Sequence, residues 1–204
     1  MGRFGRAYGQ VPEYGPARLG LVGRLWPAPG ETLREVGVEP GDTLAEIGSG
    51  NGYFALPAAR ITAPATVYAV DIDSSLLAEL SHLADLQSVE NIETIDCDAR
   101  TLSERLPEPV DTVMVANIFH GIDDPTSFVR EAFDSLRPDG RLVIFNWDDT
   151  PRETTRIDGE PRGPPTELRM TPEETQQCVL DAADVTLERT IELPPYHYAM
   201  VFER

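Results

Sequence analysis

Short apolar segments alternate with helical patterns along residues 43–147, and few folds accommodate this order. Strands are predicted at Thr43–Ile47, Thr66–Val70, Ile92–Ile95, Val110–Ala116 and Leu142–Trp147. Helices are predicted at Tyr53–Ile61, Ser74–Leu86 (with Ser74 as its N-cap) and Pro125–Leu136. Such an alternation predicts an α/β fold in which helices cover a parallel sheet.

The segments on either side of this region follow other patterns. Residues 1–30 are rich in Gly, Pro and Arg and are predicted to form an N-terminal arm or lid with a short helix near Pro16–Leu25, while residues 31–204 form the main domain. Residues 148–170 are polar and rich in Pro and Gly, which is typical of a functional or disordered loop. A helix at Pro172–Ala183 and an antiparallel pair of strands at Val185–Leu193 and Tyr198–Glu203 are predicted to follow.

Polar or glycine residues follow four of the predicted strands at the point where each strand ends. They are Glu46–Gly52, Asp71, Asp98 and Asn117. In open parallel sheets, ligands bind beyond the carboxyl ends of the strands. These four positions therefore predict a ligand site at one edge of the sheet.

The glycine loop has the spacing G-x-G-x-G, formed by Gly48, Gly50 and Gly52. The dinucleotide fingerprint would need its third glycine one residue later, where Tyr53 stands. Asp71 lies 19 residues beyond Gly52, where a carboxylate can accept both hydrogen bonds of a ribose diol. The loop therefore favours a nucleoside-containing ligand other than a nicotinamide dinucleotide.

Several segments together resemble the class I methyltransferases that use S-adenosyl-L-methionine (SAM). The matching segments are Leu44–Gly52, Val67–Asp73, Cys97–Ala99, Asn117–Ile122 and Leu136–Leu142. The resemblance implies a Rossmann-like, doubly wound sheet of seven strands in three layers. The implied strand order is 3-2-1-4-5-7-6, with strand 7 antiparallel. It also implies SAM as the cofactor and S-adenosyl-L-homocysteine as the product.

The same resemblance assigns cofactor contacts residue by residue. The glycine loop would hold the methionine part of SAM, Asp71 the ribose, and Asp98 the adenine amino group. Ile72 would pack on the adenine, and Asn117 with its neighbours would close over the methionine end. The complete predicted set is Glu46, Gly48, Ser49, Gly50, Gly52, Tyr53, Asp71, Ile72, Asp98, Ala99, Asn117 and Ile118.

Two histidines are candidates for a general base, which methyl transfer needs only when the acceptor starts protonated. His120 follows the fourth strand, and its ordinary pKa near 6.5 suits a base at neutral pH. His197 lies near the terminal strands and could reach the cleft from the other side. Each histidine could instead have a structural role.

Substrate contacts are predicted on three parts of the chain. Residues 146–170 resemble the substrate-covering loop of small bacterial and archaeal methyltransferases, with Trp147 before a Gly-Pro-Pro segment and Arg169 after it. Arg169 could pair with an anionic substrate. The further candidates are Tyr8 and Tyr14 in the arm and Tyr196 before the last strand.

The net charge of the chain limits the classes of molecule that it is expected to bind. The chain has 35 acidic residues against 17 arginines and no lysine, a net charge of −18. Such a surface repels nucleic acid and anionic lipid, so the expected acceptor is a small molecule, with O, N or C open as the acceptor atom. The same imbalance predicts an acidic, halophilic protein whose self-repulsion is screened by salt.

The small number of cysteines and the lack of a long apolar run bear on other classes of function. With two cysteines, Cys97 and Cys178, neither a disulfide framework nor a metal site is expected. No apolar run reaches the ~18 residues of a membrane span, and a cytoplasmic protein is expected. The alternatives to a methyltransferase are a SAM-binding protein without transferase activity and an NAD(P)-dependent oxidoreductase.

Overall fold

The computed structural model describes residues 28–204. Its strands, numbered in chain order, are β1 Leu44–Ile47, β2 Val67–Asp71, β3 Ile92–Asp96, β4 Val110–Ala116, β5 Leu136–Trp147, β6 Arg156–Ile157, β7 Glu160–Pro161, β8 Thr186–Leu193 and β9 His197–Glu203. Its α-helices are α1 Pro29–Glu35, α2 Ala55–Thr62, α3 Ser74–Leu86, α4 Leu102–Arg105, α5 Pro125–Asp134 and α6 Pro172–Ala182. Short 3-10 turns lie at Ala99–Thr101, Phe119–Gly121 and Thr166–Leu168.

Seven of these strands form one sheet in the order β3-β2-β1-β4-β5-β9-β8. The pairs from β3 to β5 are all parallel, whereas β9 runs antiparallel to both β5 and β8. With β8 and β9 as the sixth and seventh strands of the sheet, this is the predicted order, and the predicted Rossmann-like fold is confirmed. The carboxyl ends of β1 to β5 therefore meet the amino end of β9 at one edge, which we call the cleft edge.

Apolar residues cover both faces of the sheet because successive strand residues point to opposite sides. On one face, Phe145 packs in a cluster with residues of α1, α2 and α3. On the other, Ile144 packs with residues of α4, α5 and α6. Both side chains are fully buried, so β5 lies inside a three-layer structure.

The bounds of two elements match their predictions to the residue, but the predicted cap of α3 is wrong. The structure has α3 at Ser74–Leu86 and β4 at Val110–Ala116, as expected. The N-cap of α3 is Asp73, whose carboxylate accepts from the backbone N–H groups of Ser75 and Leu76, and Ser74 is the first helical residue. An aspartate is at least as good a cap as a serine and stands one residue earlier.

The predicted covering segment is partly ordered by its own short hairpin. Strands β6 and β7 pair antiparallel within it, and a 3-10 turn at Thr166–Leu168 ends it. The predicted loop began at residue 146, but Asn146 and Trp147 are buried residues of β5. The covering segment therefore consists of residues 148–170.

The predicted arm falls mostly outside the described residues. Tyr8, Tyr14 and the helix expected near Pro16–Leu25 all lie there, and α1 begins at Pro29, inside the predicted boundary at residue 30. Among residues 28–204, no helix is long and apolar enough to cross a membrane.

Candidate cofactor and acceptor site

The glycine-rich loop leaves β1 at the cleft edge and turns tightly against the end of β4. Gly48 has φ +71°, and a Cβ placed on it would lie 2.8 Å from Cδ1 of Ile118. Only a residue without a side chain allows both this φ and this approach. Gly48 and Ile118, separated by 70 positions in the sequence, are thus brought into contact.

Asp71 at the end of β2 is tied directly to this loop. Its Oδ2 accepts from the backbone N–H of Gly50 at 2.8 Å, and its Oδ1 accepts from that of Asp73 at 3.0 Å. Next to it, the side chain of Ile72 is 54% exposed. A large apolar side chain left this open beside a carboxylate suits a flat apolar ligand surface such as adenine.

Asp98 lies at the same edge, two residues beyond the end of β3. Its carboxylate accepts from the backbone N–H of Arg100 at 2.9 Å and pairs with the Arg100 guanidinium at 2.5 Å. These hydrogen bonds with Arg100 hold the pKa of Asp98 below its usual range. Asp98 is thus an anion at neutral pH, whereas its neighbour Ala99 is buried.

Two polar side-chain atoms at the start of the loop are buried without a hydrogen-bond partner among residues 28–204. They are the Oε2 atom of Glu46 and the hydroxyl of Ser49, on residues 3% and 5% exposed. Burial, with a smaller contribution from nearby Asp71, raises the pKa of Glu46 to about 8. Glu46 is therefore protonated at neutral pH, and its carboxyl group can donate as well as accept.

The loop after β4 carries His120 into the interior of the cleft edge. It starts at Asn117, which has φ +61° and donates its backbone N–H to the carbonyl of Phe145 at 3.0 Å. His120 is buried, and its Nδ1 lies 3.0 Å from Oδ1 of Asn146. Burial lowers the pKa of His120, and the positive charge of Arg169 acts in the same direction. The imidazole is therefore neutral at neutral pH.

His197, the first residue of β9, faces the same region from the neighbouring strand. It pairs with Trp147 in the sheet, and the two ring centres are 4.0 Å apart. Burial, together with Arg169 and His120, lowers the pKa of His197 to about 3. Such a weak base stays neutral at neutral pH, so of the two histidines His120 has the better basicity for proton transfer.

Arg169 holds the covering segment closed over Trp147. Its guanidinium has no exposed surface and donates to Thr155 Oγ1 at 2.9 Å and to the carbonyl of Arg162 at 3.0 Å. The guanidinium carbon lies 5.0 Å from the Trp147 ring centre. Gly163, with φ +85°, fits between them, since a Cβ there would meet both side chains within 2.9 Å. The observed role of Arg169 is structural, and its pairing with an anionic substrate stays a prediction.

Two tyrosines of the predicted set lie at the borders of this region. Tyr53 packs edge-on against Phe54, with ring centres 5.2 Å apart, and burial raises its pKa to about 12. The Tyr196 hydroxyl lies 3.4 Å from both the backbone nitrogen and the carbonyl oxygen of Arg156, so Tyr196 supports the β6–β7 hairpin.

The structure adds Asn146 and Thr155, which the sequence analysis did not single out. Both are fully buried, and they hold His120 and Arg169 respectively. Asn146 had a visible signal, because it is the one polar residue in the apolar run Leu142–Trp147. Thr155 had none, since threonine is common in polar loops.

Comparison with known proteins identifies similar sequences and folds. Residues 45–144 match the family profile described as "Methyltransferase domain". A curated relative, the ubiquinone biosynthesis O-methyltransferase of Pseudomonas fluorescens (strain Pf0-1), is 30% identical over 105 residues. That match covers 52% of this chain and 44% of the relative, so the chain spans less than half the length of the curated relative.

Solved structures share the fold along most of the chain. A SAM-dependent methyltransferase from Aquifex aeolicus superposes with a TM-score of 0.75 at 23% identity, covering 93% of both chains. Magnesium protoporphyrin IX methyltransferase from Synechocystis PCC 6803, solved with bound SAM, gives 0.64 at 15% identity, covering 98% of this chain and 88% of that one. Profile, relative and fold agree with the predicted resemblance: residues 45–144 are similar to the methyltransferase domain, and the chain has the fold of SAM-dependent methyltransferases.

Proposed function

We propose that this chain is a SAM-dependent methyltransferase that transfers a methyl group to a hydroxyl of a small-molecule acceptor. The observation that carries the proposal is the cleft edge itself. There the glycine loop of the methyltransferase domain contacts the ends of β2 and β4, through Gly50 with Asp71 and Gly48 with Ile118. The same edge holds the buried imidazole of His120.

The residues present fit SAM. The carboxylate of Asp71 suits a ribose diol, exposed Ile72 suits the adenine face, and Asp98 suits the adenine amino group. The buried hydroxyl of Ser49, without a partner in residues 28–204, suits the polar methionine part. When bound, SAM supplies an electrophilic methyl group and leaves as S-adenosyl-L-homocysteine.

The chain's own residues would handle the acceptor proton. His120, neutral at neutral pH, accepts the hydroxyl proton as the new carbon–oxygen bond forms. The covering segment, held by Arg169, excludes water from the reacting atoms. The buried guanidinium of Arg169, whose Nη1 lies 3.9 Å from the Asp148 carboxylate, would stabilise an acceptor oxygen that becomes anionic. The relative named as an O-methyltransferase points to the same acceptor atom.

Formation of S-adenosylhomocysteine tests the proposal. Wild-type protein is incubated with SAM and 3,4-dihydroxybenzoate, benzoate or benzylamine, and calorimetry compares the binding of SAM and NADH. We expect SAM binding and turnover of the dihydroxy compound. SAM binding without turnover of any acceptor would favour a SAM-binding protein, and NADH binding alone would favour an oxidoreductase.

Two histidine variants test whether His120 is the general base. His120→Ala is expected to lower kcat about 100-fold while the Kd for SAM stays within twofold. His82→Ala is the matched control, since His82 is exposed on α3. A larger loss of SAM affinity than of kcat in His120→Ala would make His120 a cofactor contact instead.

A further inference from the structure

Asn146 is a buried polar residue in a strand that is otherwise apolar. It is fully buried in β5, between Phe145 and Trp147, one position before the strand ends at the cleft edge. A buried amide in a sheet core is unfavourable unless its hydrogen bonds are made. Its Oδ1 makes two such contacts, whereas its Nδ2 has no hydrogen-bond partner among residues 28–204.

The orientation of the Asn146 amide is fixed by the backbone. The N–H of Trp147 donates to Asn146 Oδ1 at 3.1 Å. A backbone N–H can only donate, so the atom facing it must be the carbonyl oxygen and not the NH₂ group. An amide turned by 180° would set two donors against each other.

The same oxygen determines which nitrogen of His120 carries the proton. Asn146 Oδ1 lies 3.0 Å from His120 Nδ1, and a carbonyl oxygen can only accept. Nδ1 must therefore be the donor. A neutral imidazole has one N–H, so its basic lone pair is then on Nε2.

We infer that Asn146 is a positioning residue that holds His120 in the Nδ1–H tautomer, so that Nε2 receives the proton of the acceptor hydroxyl. This inference rests on the proposed function and deepens it. No covalent bond to Asn146 forms or breaks: the proton moves from the acceptor oxygen to Nε2, while the Nδ1–H stays on the amide oxygen. The imidazolium that results keeps its hydrogen bond to Asn146.

The charged groups around His120 support these roles for Asn146 and His120. Arg169 from the covering segment and His197 from β9 are the titratable side chains that interact with His120 in this cluster. Neither is an anion, and the Asp148 carboxylate lies 3.9 Å from Nη1 of Arg169, so the group that hydrogen-bonds to the ring at Nδ1 is the neutral amide of Asn146. A carboxylate in its place would orient the ring equally well but would also raise its basicity.

Nitrogen-15 NMR of the imidazoles tests the tautomer without any acceptor. The chain has three histidines, so variants at each position assign the signals. In ligand-free wild-type protein at pH 7.5, we expect His120 to show a protonated Nδ1 and an unprotonated Nε2. Asn146→Leu should lose this pattern, and Asn146→Asp should keep it.

A control separates this effect from general damage to the sheet. Thr112 is fully buried on β4, and its hydroxyl accepts from Nε of Arg141 on β5 at 3.1 Å. Thr112→Val therefore removes one hydrogen bond between the same two strands, near the amino end of β4. It should leave the His120 signals unchanged.

Kinetics with 3,4-dihydroxybenzoate test the contribution of Asn146 to catalysis. Asn146→Leu should lower kcat about 100-fold, with the Kd for SAM within twofold of wild type. Asn146→Asp should recover most of kcat and move the acidic limb of the pH profile to higher pH.

Three results would overturn the inference. One is an Nε2–H tautomer in wild-type protein, and another is a wild-type kcat in Asn146→Leu. The third, an Nδ1–H tautomer in a protein that methylates no acceptor, would remove the proposed function and the catalytic role of Asn146 together, while its control of the ring would stand.

Discussion

Gly50 donates its backbone N–H to Oδ2 of Asp71 over 2.8 Å, which ties the glycine-rich loop to the end of β2. The other oxygen of this carboxylate accepts from the backbone of Asp73. Each carboxylate oxygen has a further lone pair. Asp71 can therefore shape the loop and still accept hydrogen bonds from a ribose.

Replacing Asp71 should weaken cofactor binding more than it weakens the fold. Asp71→Ala is expected to weaken the binding free energy of SAM by ~1–3 kcal/mol, the usual loss when hydrogen bonds to a charged group are removed. Titration calorimetry measures it. Asp96→Ala is the matched control, because Asp96 is an exposed carboxylate in register with Asp71 on β3. Equal affinities in both variants would show that Asp71 does not hold the ribose.

The buried carboxyl of Glu46 should make stability depend on pH. Burial raises its pKa from 4.5 to about 8 in the folded chain. Between these values the unfolded chain releases the proton and the folded chain keeps it, so rising pH destabilises the fold. The stabilisation is complete below pH 4.5 and is lost as pH rises towards 8, by at most ~1.4 kcal/mol per pH unit.

Urea unfolding at pH 5, 6, 7 and 8 checks this dependence. The unfolding free energy of wild-type protein should fall across the series relative to that of Glu46→Gln, whose amide does not titrate. Parallel curves for the two proteins would contradict a protonated Glu46.

Loss of the Arg169 guanidinium should loosen the covering segment. Arg169→Gln removes buried hydrogen bonds to Thr155 and to two backbone carbonyls. Amide hydrogen exchange along residues 150–166 should become about tenfold faster, since one such bond contributes ~1–3 kcal/mol. Arg162→Gln, an exposed change within the same segment, should leave these rates within twofold. Unchanged amide hydrogen exchange in Arg169→Gln would mean that other contacts hold the covering segment.

The acidic composition should make the fold more stable at high salt. At a net charge of −18 the acidic side chains repel one another. Salt weakens this repulsion, because the screening length falls from ~10 Å at 0.1 M salt to ~3 Å at 1 M. We expect the Tm to rise by ~2–8 °C between 0.1 and 2 M KCl, as a gain of ~1–2 kcal/mol would give a chain of this size. Equal melting temperatures in a calorimetric scan would remove the halophilic interpretation.

Sequence patterns located most of the sheet because each strand pattern is local. The apolar run Val110–Ala116 and the leucine periodicity of Ser74–Leu86 are both complete in the sequence, and both elements have the predicted bounds. The start of β5 was missed, because it begins at Leu136, whereas residues 137–140 suggest only a turn. Leu136 pairs with Val110 and the ladder resumes at Arg141 opposite Thr112, so residues 137–140 form an irregularity within the strand rather than its end.

The candidate site was predictable only where its chemistry is carried by motifs. The glycine loop and Asp71 follow a recognisable spacing, so the sequence supports a proposal for the cofactor half of the site. The contacts of Asn146 with His120 and of Arg169 with Trp147 depend on strand register and on the path of the cover. Nothing in the local sequence encodes those distances.

The antiparallel direction of β9 has a consequence for how such a protein can diversify. Because β9 runs against its neighbour β5, its first residue, His197, reaches the edge where β1 to β5 end. The groups proposed for the cofactor lie mainly within residues 46–99, and those around the acceptor lie within residues 117–197. Replacing the later segment could change the substrate repertoire while the donor-binding scaffold is inherited unchanged.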